Sequence, residues 1–158
     1  DLTLNLFERF KNKEFDIVLV KMTRPQDFPN GVNVWSEPLR WIGDPNLIFS
    51  DKPLPLVLSP PPCVYRTTVI NTLELVSRPW RLAFTSSSFA STVAAVKAGM
   101  GITAMPHRQI PHGLAAIEEK ILPPLPDTHV SLLKHSVDNA AINSLEEFVL
   151  KKLNRSGN

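Results

Sequence analysis

Four consecutive hydroxyl groups, on Thr85, Ser86, Ser87 and Ser88, stand directly ahead of an apolar pattern with helical spacing. The unpaired N–H groups and the positive dipole at the start of a helix attract anions, and short hydroxyl side chains extend that receptor. This stretch therefore favours the binding of a small polar or anionic molecule, without covalent chemistry. The same pattern is typical of a simple helix cap, in which one serine accepts an N–H bond and the others fill a loop. The local residues leave both interpretations open.

Two other segments could offer polar groups where a helix begins. Thr3 is predicted to cap a helix over residues 4–13. The stiff loop over residues 59–62 precedes a helix predicted from about Cys63 to Val76, with Ser59 as a possible cap. Three helix starts at strand ends predict a cleft that surrounds a small molecule. The candidate binding residues are Thr3, Ser59, Pro60, Pro61, Pro62, Thr85, Ser86, Ser87 and Ser88.

Motifs for catalysis or for metal binding are not found in the sequence. The histidines lack the spacing of zinc ligands, since His107 and His112 enclose R-Q-I-P and not E-x-x. The pair Gly99 and Gly101 lacks the third glycine of a dinucleotide fingerprint and lies at the wrong end of its helix. There is no nucleophile elbow, no phosphate-binding loop and no suggestive pair of carboxylates. We therefore expect a protein that is not an enzyme and that holds no cofactor and no metal.

Composition and charge narrow the possible partners. The 158 residues carry 17 basic and 15 acidic groups, a balance that argues against a nucleic-acid-binding surface in this segment. No apolar run approaches the roughly 18 residues that would predict a membrane span. Cys63 is the single cysteine, which fits a reducing cytoplasm and leaves no partner for an internal disulfide. An inert thiol is the commoner state of such a residue, and a reactive thiol near a helix start is the alternative.

Strand and helix patterns alternate along the chain, which predicts an α/β fold. The apolar run over residues 15–20 predicts a parallel strand that is buried on both faces. Further strands are predicted over 54–58, 80–84, 102–106 and 129–135, and a last helix over 139–153. Gly99 suits the left-handed position that ends a helix. Trp35, Trp41 and Trp80 could line a cleft, although core packing is the commoner role for tryptophan.

Four segments in order resemble the effector-binding domain of LysR-type transcriptional regulators, and together they cover most of the chain. They are LFERFKNKEFDIVLV, EPLRWIGDPN, LPLVLSPPPCVYR and STVAAVKAGMGITAMP. The last is similar to the Val-x-Ala-Gly-x-Gly-Ile-x-x-x-Pro signature of that family. The resemblance implies two Rossmann-like lobes of the type 2 periplasmic-binding-protein kind, with the first strand and helix of lobe I absent from the chain. Lobe I would comprise residues 1–43 and 128–158, and lobe II residues 44–127.

The resemblance also implies a function. A small-molecule effector would bind between the lobes at the nine candidate residues and change the geometry of a homodimer or homotetramer, thereby altering transcription. DNA would be bound through an N-terminal winged helix-turn-helix that this chain does not contain, and the regulator would be cytoplasmic with no membrane contact. The helix over 4–13 and the helix after Pro62 are the expected interfaces, and Cys63 falls where peroxide-sensing members carry their reactive cysteine. The alternative function is a periplasmic-type solute-binding protein.

Overall fold

The chain folds into two compact units, each of which packs helices on β-strands. The computed structural model describes residues 3–23, 31–44, 52–118, 120–135 and 139–155. One unit comprises the described residues as far as Glu37 together with those from Asp127 onward, and the other runs from Pro38 to Pro126. The helices are α1 (Thr3–Lys11), α2 (Val64–Leu75), α3 (Phe89–Lys97) and α4 (Ala140–Arg155). The strands are β1 (Ile17–Met22), β2 (Val32–Glu37), β3 (Leu39–Gly43), β4 (Leu54–Leu58), β5 (Trp80–Thr85), β6 (Thr103–Pro106), β7 (Ala115–Ala116) and β8 (Thr128–Lys134).

The first unit contains a three-stranded sheet in the order β1-β8-β2, with both pairings antiparallel. The prediction of a parallel strand buried on both faces is therefore wrong for β1. Val18 and Val20 are buried, whereas Leu19 between them is 40% exposed, so the strand buries one face more fully than the other. Because a short apolar run has no alternation of polar and apolar residues, its sequence cannot show whether one face or both faces of the strand are buried.

Helix α1 covers the buried face of β1. Phe10 packs among Val18, Val20, Met22 and Leu133. The ring of His135, just after β8, stacks on Phe10 with ring centroids 4.0 Å apart, and its Nε2 donates to the Phe10 carbonyl oxygen at 2.8 Å. One histidine thus joins the end of α1 to the end of β8, more than a hundred residues further along the chain.

Helix α4 is tied to the same sheet by polar contacts. Lys134 at the end of β8 donates to Asn143 Oδ1 at 3.1 Å and forms an ion pair with Glu146. At the start of the helix, Asn139 Oδ1 accepts hydrogen bonds from the N–H groups of Ala141 and Ile142. The predicted helix start at Asn139 is thereby confirmed, with Asn139 as its cap.

The second unit joins a parallel pair of strands to an antiparallel sheet. Strands β4 and β5 pair in parallel through the α2 crossover, while the other sheet has the order β6-β3-β7. Two backbone bonds link β4 to Ile102, the residue just ahead of β6: Val57 N–H donates to Ile102 O at 2.8 Å, and Ile102 N–H donates to Pro55 O at 2.9 Å. Strand β3 belongs to this unit, because it pairs only with β6 and β7 among the described strands. The family resemblance implies that residues 38–43 belong to lobe I, and that lobe boundary stays a prediction.

Two glycines connect α3 to β6. Gly99 follows the C-cap residue Ala98 with a φ of +73°, the left-handed conformation that was predicted for it. Gly101 lies where the chain passes β4 so closely that a Cβ atom would stand 2.4 Å from the Pro55 carbonyl oxygen. The Gly-x-Gly pattern is therefore a helix end followed by a close backbone approach. Within the described part of the chain, every helix is too short or too polar to cross a membrane.

Candidate functional site

The carboxyl ends of β4 and β5 bring two of the three predicted segments together. Leu58 is paired with Thr85 in the parallel register, so the chain leaves both strands at the same edge of the sheet. Residues 59–62, here called the proline loop, follow β4, and residues 85–88, here called the serine turn, complete β5 and lead into α3. In open α/β sheets this edge, outside the carboxyl ends of the strands, is where ligands bind.

Backbone and side-chain hydrogen bonds fix the serine turn. Ser86 N–H donates to the Leu58 carbonyl oxygen at 3.3 Å, which attaches the turn to the end of β4. Ser86 Oγ accepts from Ser88 N–H at 3.1 Å, and Ser88 Oγ accepts from Ser91 N–H at 3.4 Å. Ser88 is therefore the N-cap of α3, and the capping interpretation is correct for this residue.

Other groups of the turn keep their hydrogen-bonding capacity. Ser87 is exposed and makes no hydrogen bond within the described residues, and the same holds for the N–H groups of Phe89 and Ala90 in the first turn of α3. Unpaired N–H groups in the first turn of a helix favour polar and negatively charged groups. The cap therefore leaves other hydrogen-bonding atoms of the same turn available.

The proline loop ends at Cys63, which is the N-cap residue of α2. The prediction of Ser59 as a possible cap is wrong, because Ser59 stands four residues ahead of the cap position. Its carbonyl oxygen instead accepts a hydrogen bond from Nη1 of Arg66 at 3.1 Å. Ser59, Pro60 and Pro62 are half-buried and Pro61 is exposed.

Arg66 is a candidate that the sequence analysis missed. It occupies the third position of α2, is half-buried, and reaches back over the first turn to the proline loop. Its position three residues after the N-cap Cys63 could have drawn attention to it, because a long side chain in the first turn can reach the loop ahead of the helix.

Thr3 lies in the first unit and is not used as the cap of α1. The helix already includes Thr3, and its Oγ1 accepts from the backbone N–H of Lys21 at 3.1 Å. The predicted capping role is therefore wrong, and the hydroxyl joins α1 to the carboxyl-terminal half of β1. Its role as an effector contact stays a prediction.

Cys63 occupies the N-cap position of α2 without capping the helix, so a better capping residue there should stabilise the domain. Its backbone has the extended conformation of an N-cap (φ −138°, ψ 123°), yet its side chain makes no cap hydrogen bond. Serine there could accept from the amide three residues on, as Ser88 does in α3. We expect Cys63→Ser to raise the free energy of unfolding by about 0.5–1 kcal/mol in urea melts. Cys63→Ala is the matched control, because it lacks the accepting oxygen; equal stabilities of the two variants would contradict the assignment.

The described residues hold no group of three or more His, Cys, Asp or Glu side chains placed to bind a metal ion. The candidate residues instead offer hydroxyl groups, backbone N–H groups and one guanidinium. Such groups are hydrogen-bond donors, and the hydroxyl groups also accept. General acid–base catalysis would call for a titrating side chain of the histidine or carboxylate kind within reach of the ligand.

The family model described as the LysR substrate binding domain matches residues 2–154. The chain belongs to this family. Domains of the family regulate transcription and are not enzymes, so the chain is a regulatory effector-binding domain, and this favours the regulator over the solute-binding alternative.

The relatives of this LysR-family domain agree with that assignment. The HTH-type transcriptional regulator DgdR of Burkholderia cepacia is 32% identical over 132 residues, which cover 82% of this chain and 44% of DgdR. The chain therefore spans less than half the length of that relative.

Solved structures show the same fold. The bromide-bound regulatory domain of HypT from Salmonella typhimurium has a TM-score of 0.77 at 11% identity. The match covers 99% of this chain and 80% of the chain in that structure. The effector-binding domain of QuiR in complex with shikimate has a TM-score of 0.72 at 14% identity, covering 98% and 79%. At these identities the likeness establishes the fold, which is the type 2 periplasmic-binding-protein-like fold of LysR regulatory domains.

Proposed function

We propose that this domain is the effector-sensing module of a longer transcription regulator, and that a small molecule binds at the serine turn and the proline loop. The observation that carries the proposal is the meeting of these two segments at the carboxyl ends of β4 and β5, with unpaired N–H groups at the start of α3. The QuiR domain, which has the same fold, is described in complex with shikimate, and this supports a small organic effector.

In this proposal the candidate residues have different tasks. Ser86 and Ser88 shape the turn through the hydrogen bonds that they accept, and Ser87 and Thr85 present exposed hydroxyl groups to the effector. Pro60, Pro61 and Pro62 hold the chain beside them with few accessible conformations, which lowers the entropic cost of binding. Thr3 is proposed as a further contact.

The regulatory step is a population shift. An effector that binds one conformation more tightly favours that conformation, by no more than the ratio of its two affinities. We propose that the longer protein is cytoplasmic, binds DNA through an N-terminal helix-turn-helix, and forms homodimers or homotetramers through α1 and α2. Leu75 and Val76, at the end of α2, are 86% and 54% exposed, and such apolar exposure supports an interface there.

The proposal predicts ligand-dependent stabilisation of the domain. We expect at least one compound from a panel of small organic acids, phosphate esters, amines and sugars to raise the melting temperature. At a concentration of about 100 times the Kd, binding adds about 2.7 kcal/mol to the stability. For a domain of this size that corresponds to roughly 5–10 °C in differential scanning fluorimetry.

The double variant Ser86→Ala/Ser87→Ala tests whether the stabilising compound binds at the serine turn. It keeps the Ser88 cap of α3, so we expect the unliganded domain to melt within a few degrees of the parent and the ligand-induced rise to be largely lost. Ser144→Ala on α4 is the matched control, because Ser144 is an exposed serine in the other unit. A ligand-induced rise that persists in the double variant, or a panel without any stabilising compound, would contradict the proposed function.

A further inference from the structure

Thr128, the first residue of β8, is buried without a hydrogen bond from its side chain. The residue is 0% exposed, and its Oγ1 has no hydrogen-bond partner among the residues that the structure describes. Most buried hydroxyl groups are hydrogen-bonded, because an unpaired one loses its bonds to water and gains none in return. We infer that this hydroxyl group is a conformational device, which disfavours the paired end of β2 and β8 and lets the two strands separate readily there.

The position of Thr128 in the chain gives this property a consequence. The first unit extends to Glu37, and the chain enters the second unit at Pro38. It leaves the second unit after Pro126, and Asp127 is the first residue back in the first unit. Glu37, the last residue of β2, is the register partner of Thr128. Glu37 and Thr128, here called the terminal pair, therefore stand where both connections between the units join the sheet.

The strand conformation explains why the hydroxyl group stays unpaired. In helix α2, the hydroxyl group of Thr68 donates to the carbonyl oxygen of Val64, four residues earlier, at 2.9 Å. A strand offers no such acceptor, because its side chains stand roughly perpendicular to the sheet while the backbone groups lie within the sheet. Thr128 therefore depends on a neighbouring side chain for a bond, and the described side chains do not supply one.

Separation of the terminal pair restores hydrogen bonds that burial removes. Opposite residues of an antiparallel pair point to the same face, with Cβ atoms about 4.5–5.5 Å apart, so the half-buried Glu37 and the hydroxyl group of Thr128 share one side of the sheet. When this strand end opens, the hydroxyl group bonds to water and the carboxylate is hydrated more fully. The free energy of opening is therefore lower than it would be for a hydrogen-bonded hydroxyl group.

Such a device would serve the regulatory step without contacting the effector. In a domain that responds by a population shift, the two connections must change conformation with the least cost. Segments of low local stability are the ones from which moving elements are drawn. The unpaired hydroxyl group lowers the local stability at the strand end where both connections begin, and this goes beyond the effector site proposed above.

Amide hydrogen exchange of the unliganded ¹⁵N-labelled domain tests the inference, under conditions in which the exchange rate reports the opening equilibrium. Strand β8 is the central strand of its sheet, so its amides can be compared with each other. In the parent we expect the amides of residues 128 and 129 to exchange faster than those of residues 131–133. Thr128→Val keeps the shape of the side chain and removes the hydroxyl group, and it should slow exchange at residues 128 and 129 by about fivefold or more.

Thr68→Val is the matched control, because it removes a buried hydroxyl group that is hydrogen-bonded and lies in the other unit. We expect this variant not to slow exchange at residues 128 and 129. Urea melts of both variants verify that the fold is retained, and they should show Thr128→Val to be at least as stable as the parent.

Two results would overturn the inference. Exchange at residues 128 and 129 that is unchanged or faster in Thr128→Val would show that the hydroxyl group is hydrogen-bonded in solution, to water or to the protein. Exchange in the parent that is no faster there than at residues 131–133 would show that the strand end does not open readily. Because the experiment contains no effector, either result leaves the proposed function to be decided by the compound panel.

Discussion

Replacing Gly101 with alanine is expected to lower the free energy of unfolding by about 2–4 kcal/mol, because the new methyl group has no room. Its Cβ would stand 2.4 Å from the carbonyl oxygen and 2.8 Å from the carbonyl carbon of Pro55, both backbone atoms that cannot rotate away. The same carbonyl oxygen accepts from Ile102 N–H at 2.9 Å. Relief of the clash must therefore separate β4 from the start of β6 and weaken that hydrogen bond as well.

Gly99→Ala is the matched control for this prediction. Gly99 has a φ of +73°, and a Cβ there would meet no atom within 4 Å. The substitution costs only the left-handed conformation of a non-glycine residue, about 1–2 kcal/mol. Urea denaturation at equilibrium gives both values, and a Gly101→Ala variant that is no less stable than Gly99→Ala would show that β4 and β6 do not pass each other at this distance.

Local signals in the sequence predicted the elements around the serine turn well. The serines ahead of an apolar helical pattern and the glycine behind it mark the two ends of α3, and the structure has Ser88 as the cap and Gly99 in the left-handed conformation. Such signals work because a cap and its partner amide lie within one helical turn, so the physics that fixes them is contained in a few neighbouring residues.

Contacts between distant residues could not be predicted in the same way. Thr3 accepts from Lys21 N–H, and a cap prediction had no means of knowing that a strand would lie beside the helix. Strand β1 pairs antiparallel with β8, more than a hundred residues further on, so the direction of pairing was not visible in the apolar run. The hydrogen bond from Arg66 to the Ser59 carbonyl oxygen likewise depends on the path of the proline loop ahead of α2, which a helix pattern does not show.

The tryptophans show the same limit, since a sequence cannot decide between cleft lining and core packing. Trp41 is 3% exposed, and its Nε1 donates to the carbonyl oxygen of Pro123 at 2.7 Å. It packs in the core cluster of the second unit, together with Leu122 and Leu125 of the segment that contains Pro123. The core-packing interpretation is therefore correct for Trp41. Trp35 and Trp80 are half-buried.

Trp41→Phe is accordingly expected to lower the free energy of unfolding by about 1–3 kcal/mol. The phenyl ring is smaller than the indole and leaves unfilled volume, and the Pro123 carbonyl loses its donor. Because that hydrogen bond ties residues 121–125 to β3, amide hydrogen exchange in this segment should accelerate more than exchange in β4. Both quantities are measured on the same protein, by urea denaturation and by exchange with mass-spectrometric detection.

Trp35→Phe is the comparison that isolates the effect of burial and hydrogen bonding. Trp35 lies on β2 in the first unit and is half-buried, so the same change of side chain should cost less there and should leave exchange at residues 121–125 unaltered. If Trp41→Phe were no more destabilising than Trp35→Phe, and exchange near Pro123 did not change, the indole N–H would not be what holds this segment on β3. The segment would then depend on the burial of Leu122 and Leu125 alone, since both stay packed against the same core.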